Sequence, residues 1–467
     1  MSASTASASP RGKEWLTNWD PENEQAWDSH LAWRTLWVTT FALTLAFSTW
    51  FLASALAPIL TNLGFVLSKG QLYWLTAMPG LAGGSMRLLW MFLPPILGTR
   101  KLVTLTTALL LLPLIGWSLA IMDNTTPYWV LMSLAFLAGI GGGAFSGFMP
   151  STSYFFPKRL QGTALGLQAG IGNFGVSLVQ FLTPWVVGFG LIGASQTFRN
   201  PAKGIEKEVW YQNAALVYVP LVVAAALLAW VLLKSVPITA NFRQQRDIFS
   251  NVDTWWMTLL YLMTFGTFAG FSAQFGLLIK NLYGAGNTAI VEALSDGTTN
   301  LLLAGYAVPD PIKYVFWGPL VGAGARVAFS PLTDRTGGAP WTLLSGLGLL
   351  ASTIFTSLHL SPDVAAGPAA VASDFHAFFW GMIAIFFFAG MGNASTFKQM
   401  PMIFKPRQAG GVIGWTAAIA AFGQFIFGVG LATFGAVAFY YGIMAFLVFC
   451  IGLTWVRYAR PGAPVRS

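Results

Sequence analysis

The stretch Ala138-Gly-Ile-Gly-Gly-Gly-Ala-Phe-Ser-Gly-Phe-Met-Pro150 returns in the second half of the chain as Ala389-Gly-Met-Gly-Asn-Ala-Ser-Thr-Phe-Lys-Gln-Met-Pro401. Two more landmarks repeat in the same order. Arg87 precedes Gly98, and Arg326 precedes Gly337, by the same eleven residues. A glycine series at Gly162, Gly166, Gly170, Gly172 and Gly175 is matched in register by Gly410, Gly414, Ala418, Ala420 and Gly423. The two halves of the sequence are therefore copies of one unit.

Composition says in which solvent that unit folds. Of 467 residues, 55% are hydrophobic and 9% are charged, and the mean hydropathy is +0.63. A water-soluble domain carries roughly 25% charged residues, so this chain cannot cover an aqueous surface. Apolar segments fall at 35–60, 70–95, 101–121, 127–149, 160–188 and 213–235, then at 254–280, 311–332, 339–358, 374–400, 408–433 and 435–457. The expected fold is an all-α integral membrane protein of twelve spanning helices in two pseudo-symmetric six-helix bundles. A lead (1–34), a first bundle (35–235), a linker (236–253), a second bundle (254–457) and a tail (458–467) are the expected divisions.

The net charge of +9 would suit a nucleic-acid partner if it were clustered on one face, but it is spread over short connections. With both termini inside, seventeen of the 25 Lys and Arg, Arg11, Lys158 and Arg243 among them, lie on the cytoplasmic side. Six, including Lys203 and Lys280, lie outside, and the bias sets the orientation. The single cysteine, Cys450, leaves no disulfide or Cys metal site, and no cofactor is expected. The acid-rich lead is read as cytoplasmic and not as a cleaved signal.

Arg87 and Arg326 remain in the membrane. Eleven residues at 1.5 Å each put them about 16 Å from their turns, roughly half of a ~30 Å hydrocarbon core. Such a charge is expensive unless it faces a partner or a cavity. No Asp or Glu lies at a segment centre; the nearest, Asp334, sits beside Arg335 at the turn after segment eight. A guanidinium is a permanently charged planar fork of donors that fits an oxyanion, so the pair is read as an anion clamp. His30, His359 and His376 fall at or beyond segment ends, which leaves no ordinary proton relay in the membrane.

The glycines of segments five and eleven read as close helix packing, with a part in gating. Asn173 follows Gly170 by three residues on the same helical face and is replaced by Ala421 in the other half. Substrate contact and interhelical hydrogen bond both suit it. Tyr261, Phe265 and Phe268 form a stripe that spacing alone assigns to packing as readily as to a site. Phe47 and Phe145 are as ambiguous.

The 138–150 stretch, continued by Phe155-Phe-Pro-Lys-Arg and Gly170-Ile-Gly-Asn-Phe-Gly-Val-Ser, resembles the signature of bacterial nitrate/nitrite porters, the NarK-type branch of the major facilitator superfamily. Ala389-Gly-Met-Gly-Asn-Ala-Ser-Thr-Phe-Lys-Gln is similar to its second copy. Trp19-Asp-Pro-Glu and Leu260-Tyr-Leu-Met-Thr-Phe-Gly-Thr-Phe carry the likeness across the chain. The resemblance implies nitrate and nitrite as substrates, exchanged across a bacterial cytoplasmic membrane. It implies substrate contacts at Arg87, Arg326, Asn173, Tyr261, Phe47, Phe145 and Phe265. One departure is that the turn after segment two, Gly98-Thr-Arg-Lys, has no acid, whereas the second copy keeps Asp334-Arg335.

The expectation is a monomeric anion exchanger in the lipid bilayer. Two fixed positive charges make an empty site costly to carry across a low-dielectric barrier, which favours anion-for-anion exchange. A nitrate/proton symporter is the nearest rival, and a membrane anion sensor that does not translocate is a distant one. No nucleophile–base pair lies in the spans, so an enzyme is not expected.

Overall fold

The computed structural model describes residues 12–467 except 18, 26, 201–204, 238–245 and 296–302. Arg11, Lys203, Arg243 and residues 238–245 of the expected linker therefore lie outside the described residues. In the first half the long helices are α1 (Ser29–Trp50, bent into Leu52–Leu56 and the 3₁₀ turn Ala57–Leu63), α2 (Lys69–Trp90) and α3 (Pro94–Leu109, continued by Leu111–Ala120). They are followed by α4 (Tyr128–Ser153), α5 (Lys158–Val186) and α6 (Asn213–Leu216 and Tyr218–Leu232). The second half has α7 (Val252–Tyr261, a π-turn at Leu262–Gly266, then Thr267–Tyr283), α8 (Trp317–Thr336), α9 (Ala339–Ser357) and α10 (Pro368–Ile403). A last run, Pro406–Ala421 into Gly423–Thr454, is broken at Gly435 (φ 75°, ψ 171°) into α11 and α12.

By length and hydropathy, eight helices among the described residues can cross a bilayer, or nine if the bent first helix is one span. The 52-residue run Gln408–Ala459 counts there once and is two spans, because of the break at Gly435. The remaining two, α2 and α8, are too polar to register, and they are the helices that carry the arginines. Twelve spans in two groups of six result.

Several helix starts differ from the sequence reading, α3 at Pro94 and α8 at Trp317 among them, and three are set by local chemistry. α1 begins at Ser29 because the Asp28 carboxylate accepts from Leu31 N at 3.0 Å, a side-chain cap that hydropathy cannot see. α10 begins at Pro368 and α11 at Pro406, each with proline in the first turn, where its missing N–H is no loss. A small antiparallel hairpin, β1 (Gln196–Asn200) with β2 (Ile205–Val209), covers the side opposite the termini between α5 and α6.

Close contact between helices rests on glycine. A Cβ on Gly141 would sit 2.0 Å from the Ala46 carbonyl oxygen, and one on Gly175 would sit 2.2 Å from that of Thr44. In the second half a Cβ on Gly390, in register with Gly139, would sit 2.0 Å from Gly322 O. Backbone approaches backbone at these crossings, as small residues permit in lipid.

Candidate functional site

Arg87, on α2, is wholly buried. Its Nε donates to the Gly142 carbonyl of α4 at 2.9 Å, and its Nη1 to the Ala417 carbonyl of α11 at 2.8 Å. Nη2 has no partner. Four rings surround the guanidinium: Phe145 at 4.7 Å, Trp50 and Phe265 at 5.1 Å, and Phe47 at 6.0 Å. Ring faces are negative and stabilise the desolvated charge without consuming its N–H groups. Glycines make room for this box, since a Cβ on Gly83 or Gly142 would meet the Trp50 indole within 2.8 Å.

Arg326, on α8, is 3% exposed, and its Nη1 is also unpartnered. Phe397 of α10 lies 5.1 Å from its guanidinium, 5.5 Å from the Tyr261 ring and 6.3 Å from Phe145. Tyr261 stacks on Phe265 at 5.4 Å, 10° from parallel, with its hydroxyl unsatisfied. The π-turn that begins right after Tyr261 inserts an extra residue into α7, a device frequent at functional sites. Arg326 and Tyr261 both lie within electrostatic reach of Arg87. Among the described residues, no ion pair involves either arginine.

Six of the seven sequence-derived contact residues thus meet through one chain of rings and guanidinium groups. The seventh, Asn173, is fully buried on α5 with both amide atoms unpartnered. It lies between Gly172, against Leu43 of α1, and Gly170, against Val327 beside Arg326. Four further residues escaped the sequence reading: Trp50, Ser146, Asn393 and Phe397. Ser146 and Phe397 hold the same place in the two glycine stretches, eight residues after Ala138 and Ala389, and that match was the available signal.

Two confluent cavities, about 230 and 540 Å³, open towards the side of the termini. Ser153, Leu165, Phe397, Gly410 and Ile413 line both. The smaller reaches Phe145, Ser146 and Ala417, and the larger reaches Arg326 past Lys158, Lys398 and Asp334. Asp334 pairs with Lys398 at 2.8 Å on this rim, and Arg335 is exposed. The opposite side is sealed across the halves. Thr76 Oγ1 donates to Gln274 at 2.7 Å, Gln424 to Thr76 O at 3.0 Å, and Gln180 to Ser272 O at 2.9 Å. Lys280 Nζ reaches Pro58 O at 2.7 Å.

The cavity corrects one reading of the glycines. A Cβ on Gly162, Gly166 or Gly410 would meet nothing within 4 Å. These three line or border the open vestibule, so in this conformation they do not pack against a neighbouring helix. Gly170, Gly172 and Gly175 do pack tightly, and Gly414 lies against Met91.

The Major Facilitator Superfamily profile matches residues 36–309, more than half of the chain. A Thermus thermophilus protein described as a probable nitrate/nitrite antiporter, NarK2, is 57% identical over 458 residues, covering 96% of this chain and 97% of its own. The chain belongs to the NarK-type branch of the major facilitator superfamily. Two other NarK-type relatives, the nitrate/nitrite transporters NarU of Salmonella typhimurium and Escherichia coli, are 32% and 30% identical, each over 95% of this chain and 96% of theirs. In fold, the protein is similar to a solved bacterial homologue of the human lysosomal transporter Spinster, with a TM-score of 0.59 at 15% identity over 90% of this chain and 95% of that one. Membership makes this NarK-type protein a multi-pass membrane transporter, not an enzyme.

Proposed function

We propose that this protein exchanges nitrate for nitrite across a bacterial cytoplasmic membrane, holding the anion between Arg87 and Arg326. The observation that carries the reading is the pair of buried guanidinium groups with free N–H donors and no carboxylate partner among the described residues. An anion completes their hydrogen bonding and cancels their charge. Asn173 and Tyr261 add donors, and Phe47, Phe145 and Phe265 wall a dry slot around a flat ion. The names of the NarK2 and NarU relatives support nitrate and nitrite as that ion.

Each arginine belongs to a different half, so a bound anion links the halves and lets them rock together about a central site. With the termini in the cytoplasm, as the Lys and Arg bias favours, the open vestibule faces inward and the Thr76–Gln274 seal faces outward. The bundles divide near 236–253, and the carrier works as a monomer in the bilayer. Without anion, two like charges would have to cross the closed state uncompensated, which makes exchange obligatory.

Counterflow in proteoliposomes tests this. Labelled nitrate is expected to enter only when nitrite or nitrate is trapped inside, without a pH gradient. Uptake that follows an imposed proton gradient and ignores internal anion would replace exchange with symport. Binding with no counterflow at all would favour a sensor.

A further inference from the structure

Asn393 stands in the second glycine stretch at the place Gly142 holds in the first, four residues after the opening alanine. In the first half the Gly142 carbonyl takes Arg87 Nε at 2.9 Å. In the second half that position carries a carboxamide. It is fully buried, and among the described residues neither Oδ1 nor Nδ2 has a hydrogen-bond partner. A buried unsatisfied amide is costly, so its persistence calls for a partner outside the protein or in another state.

The neighbours of Asn393 show where it is aimed. Phe397, one helical turn on and so on the same face of α10, lies over Arg326 and beside Tyr261. Gly390, three residues back, presses on Gly322, one turn before Arg326 in α8. The polar groups that flank the other side of α10 are already satisfied. Ser345 Oγ donates to Phe388 O at 2.7 Å, and Thr396 Oγ1 to Gly392 O at 2.7 Å. Towards the site, Arg326 Nη1, the Tyr261 hydroxyl and both ends of Asn173 are as unfinished as Asn393 itself.

We infer that Asn393 is a specificity-determining anion contact, an amide offered by α10 of the second half as Asn173 is by α5 of the first. In the occupied site its Nδ2 donates to an anion oxygen, and its Oδ1 receives the free N–H of Arg326. This rests on the nitrate/nitrite reading given above. Nitrate presents three oxygens and nitrite two, so where the arginines, Asn173 and Tyr261 bond the two oxygens common to both anions, a further donor finds a third oxygen on nitrate and only the poorer nitrogen acceptor on nitrite. Asn393 therefore favours nitrate.

The test is Asn393→Ala in reconstituted carrier, with concentration dependence measured separately for nitrate and nitrite counterflow, and with melting temperature read against each anion. Losing one hydrogen bond to a charged acceptor corresponds to about tenfold or more. The apparent KM for nitrate is expected to rise by about that factor, that for nitrite by less than about threefold, and the nitrate-induced rise in melting temperature to shrink selectively. Equal weakening of both anions, or no change for either, would overturn the inference. Asn393→Leu, close in volume and without a donor, carries the same comparison if the alanine variant does not purify. Wild-type carrier that exchanges neither anion defeats the reading of the site. Wild-type exchange with a variant of unchanged preference defeats only the role of Asn393.

Discussion

Arg87 Nη1 donates to the carbonyl oxygen of Ala417 at 2.8 Å, across the boundary between the two halves. One buried cation thus tethers α2 to the backbone of α11 while its Nη2 stays free for a ligand. Among the described residues Arg326 has no equivalent tether, and it lines the vestibule. The arginine from the first half is held and the one from the second half is open to the inner cavity.

That difference leads to a prediction for conservative substitutions. Arg87→Lys loses the fork that serves Gly142 and Ala417 at once, and Arg326→Lys loses planar contact with an oxyanion. Both variants are expected to lower counterflow by roughly 100-fold or more, since charged hydrogen bonds of this kind contribute about 1.5–3 kcal/mol each. Near-normal nitrate uptake by either lysine variant would rule out the clamp.

The glycines separate packing from gating. Gly141→Ala and Gly175→Ala drive a methyl group into backbone at 2.0 and 2.2 Å, and overpacking of this kind costs about 1–3 kcal/mol. A clear fall in melting temperature in detergent is expected for both. Gly166→Ala meets open space, so its melting temperature should match the wild type. If the vestibule closes on α5 during turnover, Gly166→Val should also fold normally yet exchange slowly. A Gly166→Val carrier with full exchange rate would show that α5 never closes there.

The outer seal sets the conformational balance. Thr76→Val removes the hydroxyl that bonds Gln274 at 2.7 Å. A lost hydrogen bond of about 1 kcal/mol shifts a two-state population about fivefold towards the outward-open form. With Cys450 replaced by Ala, labelling of a cysteine placed at Ser272 by an impermeant thiol reagent from the outside should accelerate accordingly. Unchanged labelling would mean that the other cross-half bonds suffice.

The lead straps the rim of the first half. Trp19 and Trp27 donate from Nε1 to Tyr154 O and Phe155 O at 3.0 and 2.9 Å, and Glu22 accepts from Lys158 N at 2.9 Å. Trp19→Ala with Trp27→Ala should therefore expose the α4–α5 turn to protease well before any global unfolding. Glu14, 3.6 Å from Lys101, is held below its ordinary value of 4.5 by backbone hydrogen bonding first and by Lys101 next. A lowered carboxyl stabilises the strap above 4.5 and loses that contribution as pH falls through the lowered value. Protease sensitivity that is flat across that acid range in the wild type, or matched by Glu14→Gln at neutral pH, would remove Glu14 from the strap.

Glu14 also answers the departure noted in the first half. The turn Gly98-Thr-Arg-Lys has no acid of its own, yet a carboxylate reaches Lys101 from the lead. Gly98 (φ 73°, ψ 162°) and Gly337 (φ 85°, ψ 168°) hold the same left-handed turn in the two halves, and a Cβ on Gly98 would strike Ser235 and Trp15. Spacing from the arginines made both turns legible. The contact with a lead more than eighty residues earlier was not.

Hydropathy, charge bias and internal repetition suffice for the twelve spans, the two halves and the depth of the two arginines, because the bilayer acts on composition and length residue by residue. The resemblance of the glycine stretches added the aromatic contacts. Neither could tell which glycines of α5 pack and which face the vestibule, since helical spacing is the same for both. Neither could find Trp50 or the unsatisfied amide of Asn393, whose meaning depends on what lies across a helix interface. Only the crossing of α2, α4, α8, α10 and α11 brings together donors far apart in the chain, and only there does their lack of partners become visible.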